Sequence, residues 1–291
     1  MILFFLSLVY AQPTTIPAQL LLAKEQSLSL GLPQRINLIS ESLLGIPYLL
    51  NPEGEEAGFD TDPRQNFEHM DCLTYVEAVL SFSMGETPQE ILSIRNDIRY
   101  FEGNEHYEYR KHFMFSQWIP SNIELGYIQD ISIQIGKTER FSRTFTEDLW
   151  KNWGGKKKIP LSHERFPMGM FELDVLPVEE AIRNIEKIPS GALLVVIRDS
   201  NKGNPVLISH IGFVIDKKVG SKTKKKMRHA TIMGKPQGVK EHDLLWYLNH
   251  MKDYPYKWKV RGVSIFYPKY PTADWILLDT QTEKEEPDRV E

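Results

Sequence analysis

The amino-acid sequence predicts an α+β fold, in which helices come first along the chain and an antiparallel sheet follows. Capped segments with apolar residues at helical spacing fill much of the first third of the chain. Short β-branched runs separated by turn residues fill much of the last third. Because the helices and strands do not alternate, the pattern is not that of a parallel α/β fold.

Three helices are marked in the first third of the chain. Residues 34–44 carry apolar side chains at helical spacing and stop at a glycine, and residues 71–84 form a second such segment. The third helix has the clearest start: Thr87 fits an N-cap, Pro88 suits the first helical position and Glu90 completes a capping box. These patterns predict helices that each bury one apolar face.

The predicted sheet lies in the last third of the chain. Its strands are short β-branched runs bounded by Gly, Asn, Lys and Pro, as is typical of antiparallel sheets. A helix is predicted before the first strand, in VEEAIRNIEKIPSG, and another before the last strand, in EHDLLWYLNHM. The runs interpreted as strands are ALLVVIR, SHIGFVID, MRHATIM and VRGVSIFY.

The chain of 291 residues is expected to form a single domain over residues 12–279. Residues 104–176 are aromatic and show no clean period, so we expect an insertion that walls a cleft. Within it, YIQDISIQIG alternates like a strand and TFTEDLWKNWGG reads as a short capped helix. Residues 280–291 are charged and are predicted to be a disordered tail.

The first residues, MILFFLSLVYAQ, form an apolar run that ends in small side chains. The run is similar to the end of a secretory signal, which predicts a signal peptide over residues 1–11 and a periplasmic or secreted protein. It lacks a positive beginning, so a misassigned start or a buried N-terminal segment stays open. A bilayer needs about 20 apolar residues, and no segment is that long, so we expect no transmembrane segment in the mature chain.

Composition and charge exclude some classes of protein. Hydrophobic residues make up 41% and charged residues 25% of the chain, as in ordinary globular proteins. The net charge of −4 gives no indication of nucleic-acid binding. The basic run KKVGSKTKKK is interpreted as a solvated hairpin tip. The single cysteine excludes an internal disulfide bond and leaves one thiol to be explained.

That cysteine, Cys72, lies in the segment HMDCLTYVEAVL. Asp71 is a favoured N-cap and the apolar face begins just after it, so Cys72 is expected in the first turn of a helix. There the helix dipole is expected to stabilise a thiolate and lower the pKa of the thiol, as suits a nucleophile. The alternative is a buried cysteine that only packs.

Two of the eight histidines lie in neighbouring predicted strands. A hairpin centred on Val219 and Gly220 pairs His210 directly with His229, on one face and with Cβ atoms about 5 Å apart. Two imidazoles in contact suit a base and the residue that orients it, while two half-buried sheet histidines are the alternative. A helix N-terminal cysteine followed far downstream by histidines on an antiparallel sheet is the layout of papain-like hydrolases.

At these residues the sequence resembles the NlpC-type superfamily of papain-like cell-wall hydrolases. Within it, the sequence is most similar to the bacterial N-acetylmuramoyl-L-alanine amidase-like family, which typically shows GTPY, DCxTFVE, IRY with a glycine, HY with Trp and Asn, HVGI and HAS. The resemblance runs from about residue 34 to residue 267. The matching pieces here are GIPY at 45–48, DCLTYVE at 71–77, IRY at 98–100 with Gly103, HF at 112–113 with Trp118 and Asn122, HIGF at 210–213 and HAT at 229–231.

The sequence departs from the family pattern at three places. Gly-Ala-Leu at 191–193 stands where the family has GDI, Phe113 replaces a tyrosine and Thr231 replaces a serine. None of these changes removes the predicted nucleophile or base, so they bear on substrate detail more than on chemistry.

The resemblance implies an NlpC-like, papain-like core and amide hydrolysis through a thioester, with peptidoglycan fragments as the substrate. Cys72 would be the nucleophile, His210 the base and His229 the residue that orients the base. Tyr48 and Asp71 would lie beside the nucleophile, Tyr48 as an oxyanion or substrate contact, while Asp71 is equally explained as an N-cap. Further candidates for substrate binding are Thr74, Arg99, His112, Trp118 and Asn122, of which Trp118 also fits a core position.

The resemblance favours cleavage between N-acetylmuramic acid and L-Ala, with the bond between D-Glu and the diamino acid as the alternative. A non-catalytic wall-binding module and a transacylase also stay open. No metal or other cofactor is expected, because the histidines form no HExxH set and a lone thiol is a poor basis for a zinc site. Glu77, further along the cysteine helix, is expected to have a structural role.

Overall fold

The computed structural model describes residues 15–155, 159–199, 203–253 and 258–271. In these ranges the chain has the predicted α+β fold, with an antiparallel sheet packed between helices. The predicted signal peptide at 1–11 and the predicted tail at 280–291 lie outside the described residues.

Four helices come first along the described chain. Their bounds are α1 Ala18–Ser27, α2 Leu32–Ser42, α3 Cys72–Met84 and α4 Pro88–Arg99. α3 starts directly after its predicted N-cap, because the Asp71 carboxylate accepts the backbone N–H groups of Leu73 and Thr74. α4 has the predicted capping box of Thr87 and Glu90. The sequence patterns above predict the last three of these helices but not α1.

The predicted insertion contains short elements. They are α5 Ile119–Glu124, β1 Ile128–Asp130, α6 Ser132–Ile135, β2 Glu139–Phe145, α7 Glu147–Asn152 and β3 Gly169–Val175. α7 confirms the predicted short helix, and its N-cap Thr146 accepts the N–H of Leu149. The strand predicted in YIQDISIQIG is partly wrong: Asp130 accepts the N–H of Ser132 and turns the chain into α6. β2 and β3 pair as a separate two-stranded sheet.

The main sheet has six strands in the order β1-β8-β4-β5-β6-β7, and all its neighbouring pairs are antiparallel. Its later strands are β4 Leu193–Arg198, β5 Ile208–Val219, β6 Lys222–Thr231, β7 Gly238–Asp243 and β8 Val260–Pro268. α8 Val178–Arg183 precedes β4, and α9 Leu244–Lys252 precedes β8. The four predicted strands are confirmed, whereas β7 falls partly in a segment assigned to the following helix.

Apolar clusters lie on both faces of the sheet, because successive strand residues point to opposite sides. Val195 and Phe213 belong to the cluster that also contains α1 to α4 side chains. Val196 and Val214 belong to the cluster shared with α8 and α9. The sheet therefore separates the cysteine helix α3 on one side from α9 on the other.

The β5–β6 hairpin corrects the predicted strand register. Val219 pairs with Lys222, so the tip lies at Gly220 and Ser221, and His210 and His229 are not direct partners as predicted. Continuing this register places His229 opposite Gly212. A Cβ atom on Gly212 would lie 2.7 Å from the His229 Cβ. The glycine therefore lets the two strands approach, and the two histidines become diagonal neighbours on the same face.

Candidate active site

Cys72 is the first residue of α3 and is partly buried against the apolar cluster on that side of the sheet. Its sulfur is approached by the backbone N–H groups of Ile211, Leu73 and Cys72 itself. Ile211 directly follows His210 in β5. The thiol therefore lies beside the strand residue that adjoins the predicted base.

Burial, assisted by the Asp71 carboxylate, raises the pKa of the Cys72 thiol to about 12, although the three N–H groups act in the opposite direction. The expected lowering of this pKa at a helix N-terminus is thus wrong. Loss of solvation outweighs the favourable field of the first helical turn. The resting thiol is neutral at neutral pH and needs a base to remove its proton.

Three histidines form a hydrogen-bonded row, named the histidine row below: His210, His229 and His242. Nε2 of His210 lies 2.5 Å from Nδ1 of His229, and Nε2 of His229 lies 2.8 Å from Nδ1 of His242. The predicted contact between the first two is confirmed. His242 is not among the candidate site residues predicted from the sequence, because the segment that contains His242 is assigned there to the start of a helix. The alternating run GVKEHD, directly before the N-cap Asp243, is the pattern that indicates β7 instead.

The histidine row is neutral at neutral pH. Burial lowers the pKa of His210 to about 4, and the nearby Arg198 and His242 side chains act in the same direction. Burial also lowers the pKa of His229 well below its usual value and lowers that of His242. A neutral imidazole keeps a lone pair on one ring nitrogen, which is what a general base requires.

Acidification is expected to destabilise this fold below about pH 6.5, the usual histidine pKa. The native pKa values of the histidine row lie below that value, so the unfolded chain binds protons that the native state does not. The contribution of these histidines to the free energy of unfolding is therefore fully present above this pH and is lost as the pH falls towards 4. The urea midpoint should drop between pH 7 and pH 5, and less steeply in His229→Gln. Exposed His163, changed to Gln, is the control; a midpoint that stays constant over this range would contradict the prediction.

Tyr48 and Asp71 both lie near the thiol. Burial raises the pKa of the Tyr48 phenol, and the nearby Cys72 and Asp71 side chains raise it further, so its O–H is a donor at neutral pH. Asp71 also accepts the N–H of Asn51 at 3.1 Å, in addition to its two bonds within α3. Thr74 bonds back to the N–H of Asp71 at 3.0 Å. Asp71 and Thr74 thus fix the start of α3 and the loop beside it.

A polar cavity of about 350 Å³ opens beside the N-terminus of α3. Asp71, Thr74 and Arg99 line it, and so does His112, whose pKa burial lowers to about 4. Part of the predicted insertion walls it, as expected. The insertion residues in its lining are Tyr107, Arg110, Lys111, His112 and Ile159.

A second cavity, of about 300 Å³, opens at the histidine row on the side of α9. His210, Ser209 and Thr231 contribute to its lining from the sheet, and Tyr247 and Met251 contribute from α9. The two cavities therefore adjoin the two halves of the candidate site, the first beside the cysteine helix and the second beside His210.

Trp118 and Asn122 lie in the core rather than in a cavity wall, with 1% and 0% of their surface exposed. The Trp118 indole donates to Glu77 at 3.0 Å, and the Asn122 amide donates to the carbonyl oxygens of Ile98 and Trp118. Arg99 lines the first cavity but also donates to Glu77 at 2.6 Å. Trp118 and Asn122 thus support the cavity from behind, and Glu77 has the expected structural position.

Neither a metal site nor a membrane span is found among the residues that the structure describes. No group of three His, Cys, Asp or Glu side chains there is arranged to hold a metal ion. No helix in those ranges is both long and apolar enough to cross a membrane.

A thiol at a helix N-terminus, packed against the strand residue that follows His210, and a histidine row on the same antiparallel sheet define an α+β protein of the papain-like, NlpC-like class. The chain belongs to the N-acetylmuramoyl-L-alanine amidase-like family, also called AmiA-like, whose model matches residues 38–254.

Solved structures of bacterial proteins share the fold. A Legionella pneumophila protein of the family DUF1460 is 22% identical, with a TM-score of 0.74, over 86% of this chain and 93% of that one. An N-acetylmuramoyl-L-alanine amidase from Bacteroides uniformis is 17% identical, with a TM-score of 0.62, over 86% and 100%. A Bacteroides fragilis protein proposed to be a xylanase is 18% identical, with a TM-score of 0.59, over 78% and 98%. No curated protein matches the chain.

Proposed function

We propose that this protein is a cysteine-dependent hydrolase that cuts the amide between N-acetylmuramic acid and L-Ala in peptidoglycan fragments. The family match and the amidase among the structural neighbours support the bond and the substrate class. The observation that carries the cysteine mechanism is the N–H of Ile211 at the Cys72 sulfur, one residue after the neutral base candidate His210.

The proposed reaction starts from a neutral thiol and a neutral imidazole. Since Nε2 of His210 is bonded to His229, Nδ1 is the nitrogen that accepts the thiol proton. The sulfur attacks the lactyl carbonyl carbon, and the imidazolium then delivers its proton to the leaving amine of L-Ala. In the second half of the reaction, His210 takes a proton from water and the water oxygen attacks the thioester carbon. The C–S bond then breaks, the muramic acid leaves with a carboxyl group, and the imidazolium returns its proton to the Cys72 sulfur.

Two donors beside the sulfur suit the oxyanion that forms during attack. The Tyr48 phenol keeps its proton at neutral pH because its pKa is raised. The backbone N–H of Cys72 lies in the first turn of α3, where N–H groups have no acceptor within the helix. Donors held in place before the reaction stabilise the developing charge without reorganisation.

The proposed substrate lies outside the cytoplasm of a bacterium. The apolar run at residues 1–11, read as a signal peptide, supports a periplasmic or secreted location. No cofactor takes part in the proposed reaction.

Mass spectrometry of digested muropeptides tests the proposal and distinguishes the two bonds. We expect wild-type protein to release an intact stem peptide that begins with L-Ala, together with the free disaccharide. Cleavage between D-Glu and the diamino acid would give a shorter peptide and would assign an endopeptidase instead. Unchanged muropeptides that still bind the protein would indicate a wall-binding module. An added amine that ends up attached to the muramic acid would indicate a transacylase.

A further inference from the structure

The histidine row runs from a half-buried ring through a fully buried one to another half-buried ring. His210 and His242 are the half-buried ends, and His229 has 0% of its surface exposed. Each ring nitrogen of His229 is therefore hydrogen-bonded to one of the other two histidines. This makes the tautomer of the central ring depend on both neighbours.

Only two proton arrangements satisfy a row of three neutral imidazoles, since each ring has one N–H and one lone pair. In the first, every ring carries its proton on Nε2, so His210 donates to His229 and His229 donates to His242. Nδ1 of His210 is then bare and can accept the thiol proton. In the second, every proton lies on Nδ1, and that nitrogen of His210 is an N–H that cannot act as a base.

The first arrangement also suits the protonated base. When His210 becomes an imidazolium, its Nε2–H still donates to His229, and nothing else in the row has to move. His242 ends this arrangement, because its Nδ1 is the acceptor for the N–H of His229. Its ring is held by stacking on Trp246, with centroids 5.0 Å apart and planes 27° from parallel.

The charged groups around His242 oppose its protonation. Burial is the main cause that lowers its pKa, Lys240 on β7 and His250 on α9 lower the pKa further, and His229 faces it from β6. A protonated His242 would have no lone pair for His229. The surroundings therefore keep the acceptor available at neutral pH.

We propose that His242 is a positioning residue, which acts through His229 to hold His210 in the tautomer with a bare Nδ1. The proposal rests on the cysteine mechanism given under "Proposed function". His242 itself touches neither the substrate nor the thiol in this role, and no proton leaves the row.

Two substitutions at His242 separate hydrogen bonding from packing. His242→Phe keeps a ring against Trp246 but offers no acceptor, whereas His242→Gln offers a side-chain oxygen to the N–H of His229. We expect kcat to fall roughly 10- to 100-fold in the Phe variant, as for residues that orient other functional histidines, with KM unchanged. The Gln variant should recover most of that loss. His163→Phe is the control, since exposed His163 lies outside the row and outside both cavities.

The tautomers can be read directly by ¹⁵N NMR of histidine-labelled protein at pH 7. Wild-type protein should show Nε2–H on all three rings, and His242→Phe should show a mixture at His229 and His210. An Nδ1–H on His210 in the wild type overturns the proposal without any variant having to fold. Unchanged tautomers in a weakened Phe variant overturn it too. A tautomer change in a protein that cleaves no muropeptide supports the positioning role and contradicts the proposed function instead.

Discussion

Replacing Cys72 with alanine is expected to lower the rate of muropeptide hydrolysis by about 10⁴-fold or more, as when the nucleophile of a catalytic triad is removed. Alanine has no nucleophile, and the remaining groups can only bind and polarise the substrate. Cys72→Ser, which nearly preserves the shape, should lose most of the activity as well, because a hydroxyl is far less acidic than a thiol. The measurement is the initial rate of stem-peptide release, followed by mass spectrometry.

The control for this prediction lies on the same helix. Ser83 is in the last turn of α3, and its buried hydroxyl has no hydrogen bond among the described residues. Ser83→Ala should therefore keep the activity and the melting temperature of the wild type. Hydrolysis at the wild-type rate by Cys72→Ala would exclude the cysteine mechanism, and the family fold would then need another nucleophile.

The raised thiol pKa and the lowered His210 pKa determine how reactive Cys72 is in the free enzyme. Both groups are neutral at rest, so the proton moves only as the sulfur attacks. Alkylation of the free enzyme at pH 6 is then slow even in an active hydrolase, and slow labelling alone does not indicate a wall-binding module. Activity is limited on the acid side by protonation of His210, near pH 4.

Local signals in the sequence predicted the parts of the site that depend on local structure. Asp71 caps α3, so the position of Cys72 in the first turn follows from two adjacent residues. The contact of His210 with His229 followed from two strands joined by one hairpin. These features need little information beyond the segments themselves.

Features that depend on tertiary packing could not be predicted in the same way. The hairpin register depends on a Lys-rich tip whose turn is set by Gly220 and Ser221, and on Gly212, which lets the strands approach. The thiol pKa depends on burial between α3 and β5, which outweighs the dipole of the helix. His242 required a short strand to be recognised directly before a helix.

Beneath the first cavity, Glu77 and Arg99 form a buried ion pair with side-chain exposures of 1% and 5%. Their closest atoms are 2.6 Å apart, and the second Glu77 oxygen accepts the indole N–H of Trp118. Arg99 also donates to the backbone carbonyl of Glu53, which belongs to the loop that lines the cavity. The pair thus joins the cysteine helix to α4 and to that loop.

Changing Glu77 to Gln is expected to lower the free energy of unfolding by about 3–5 kcal/mol, the usual cost of removing one partner of a buried ion pair. Glutamine can still accept from Trp118, and Arg99 keeps a longer carboxylate contact, with Glu53 at 3.6 Å, so the loss reports the weaker compensation of the Arg99 charge. The measurement is urea unfolding at pH 7. In the exposed pair of Glu147 and Lys151, Glu147→Gln should leave the unfolding curve unchanged.

Removing both charges tests why the single change is costly. In Glu77→Gln combined with Arg99→Met, the guanidinium that Glu77 compensates is also removed, and Glu53 keeps its bond to Arg95 at 2.9 Å. The double variant should therefore be more stable than Glu77→Gln alone, and the two single effects should not add. Additive losses would show that the two side chains act independently, through packing rather than through their charges. Glu77→Gln should reduce hydrolysis only as far as it disturbs the start of α3, whereas Arg99→Met also changes the lining of the first cavity.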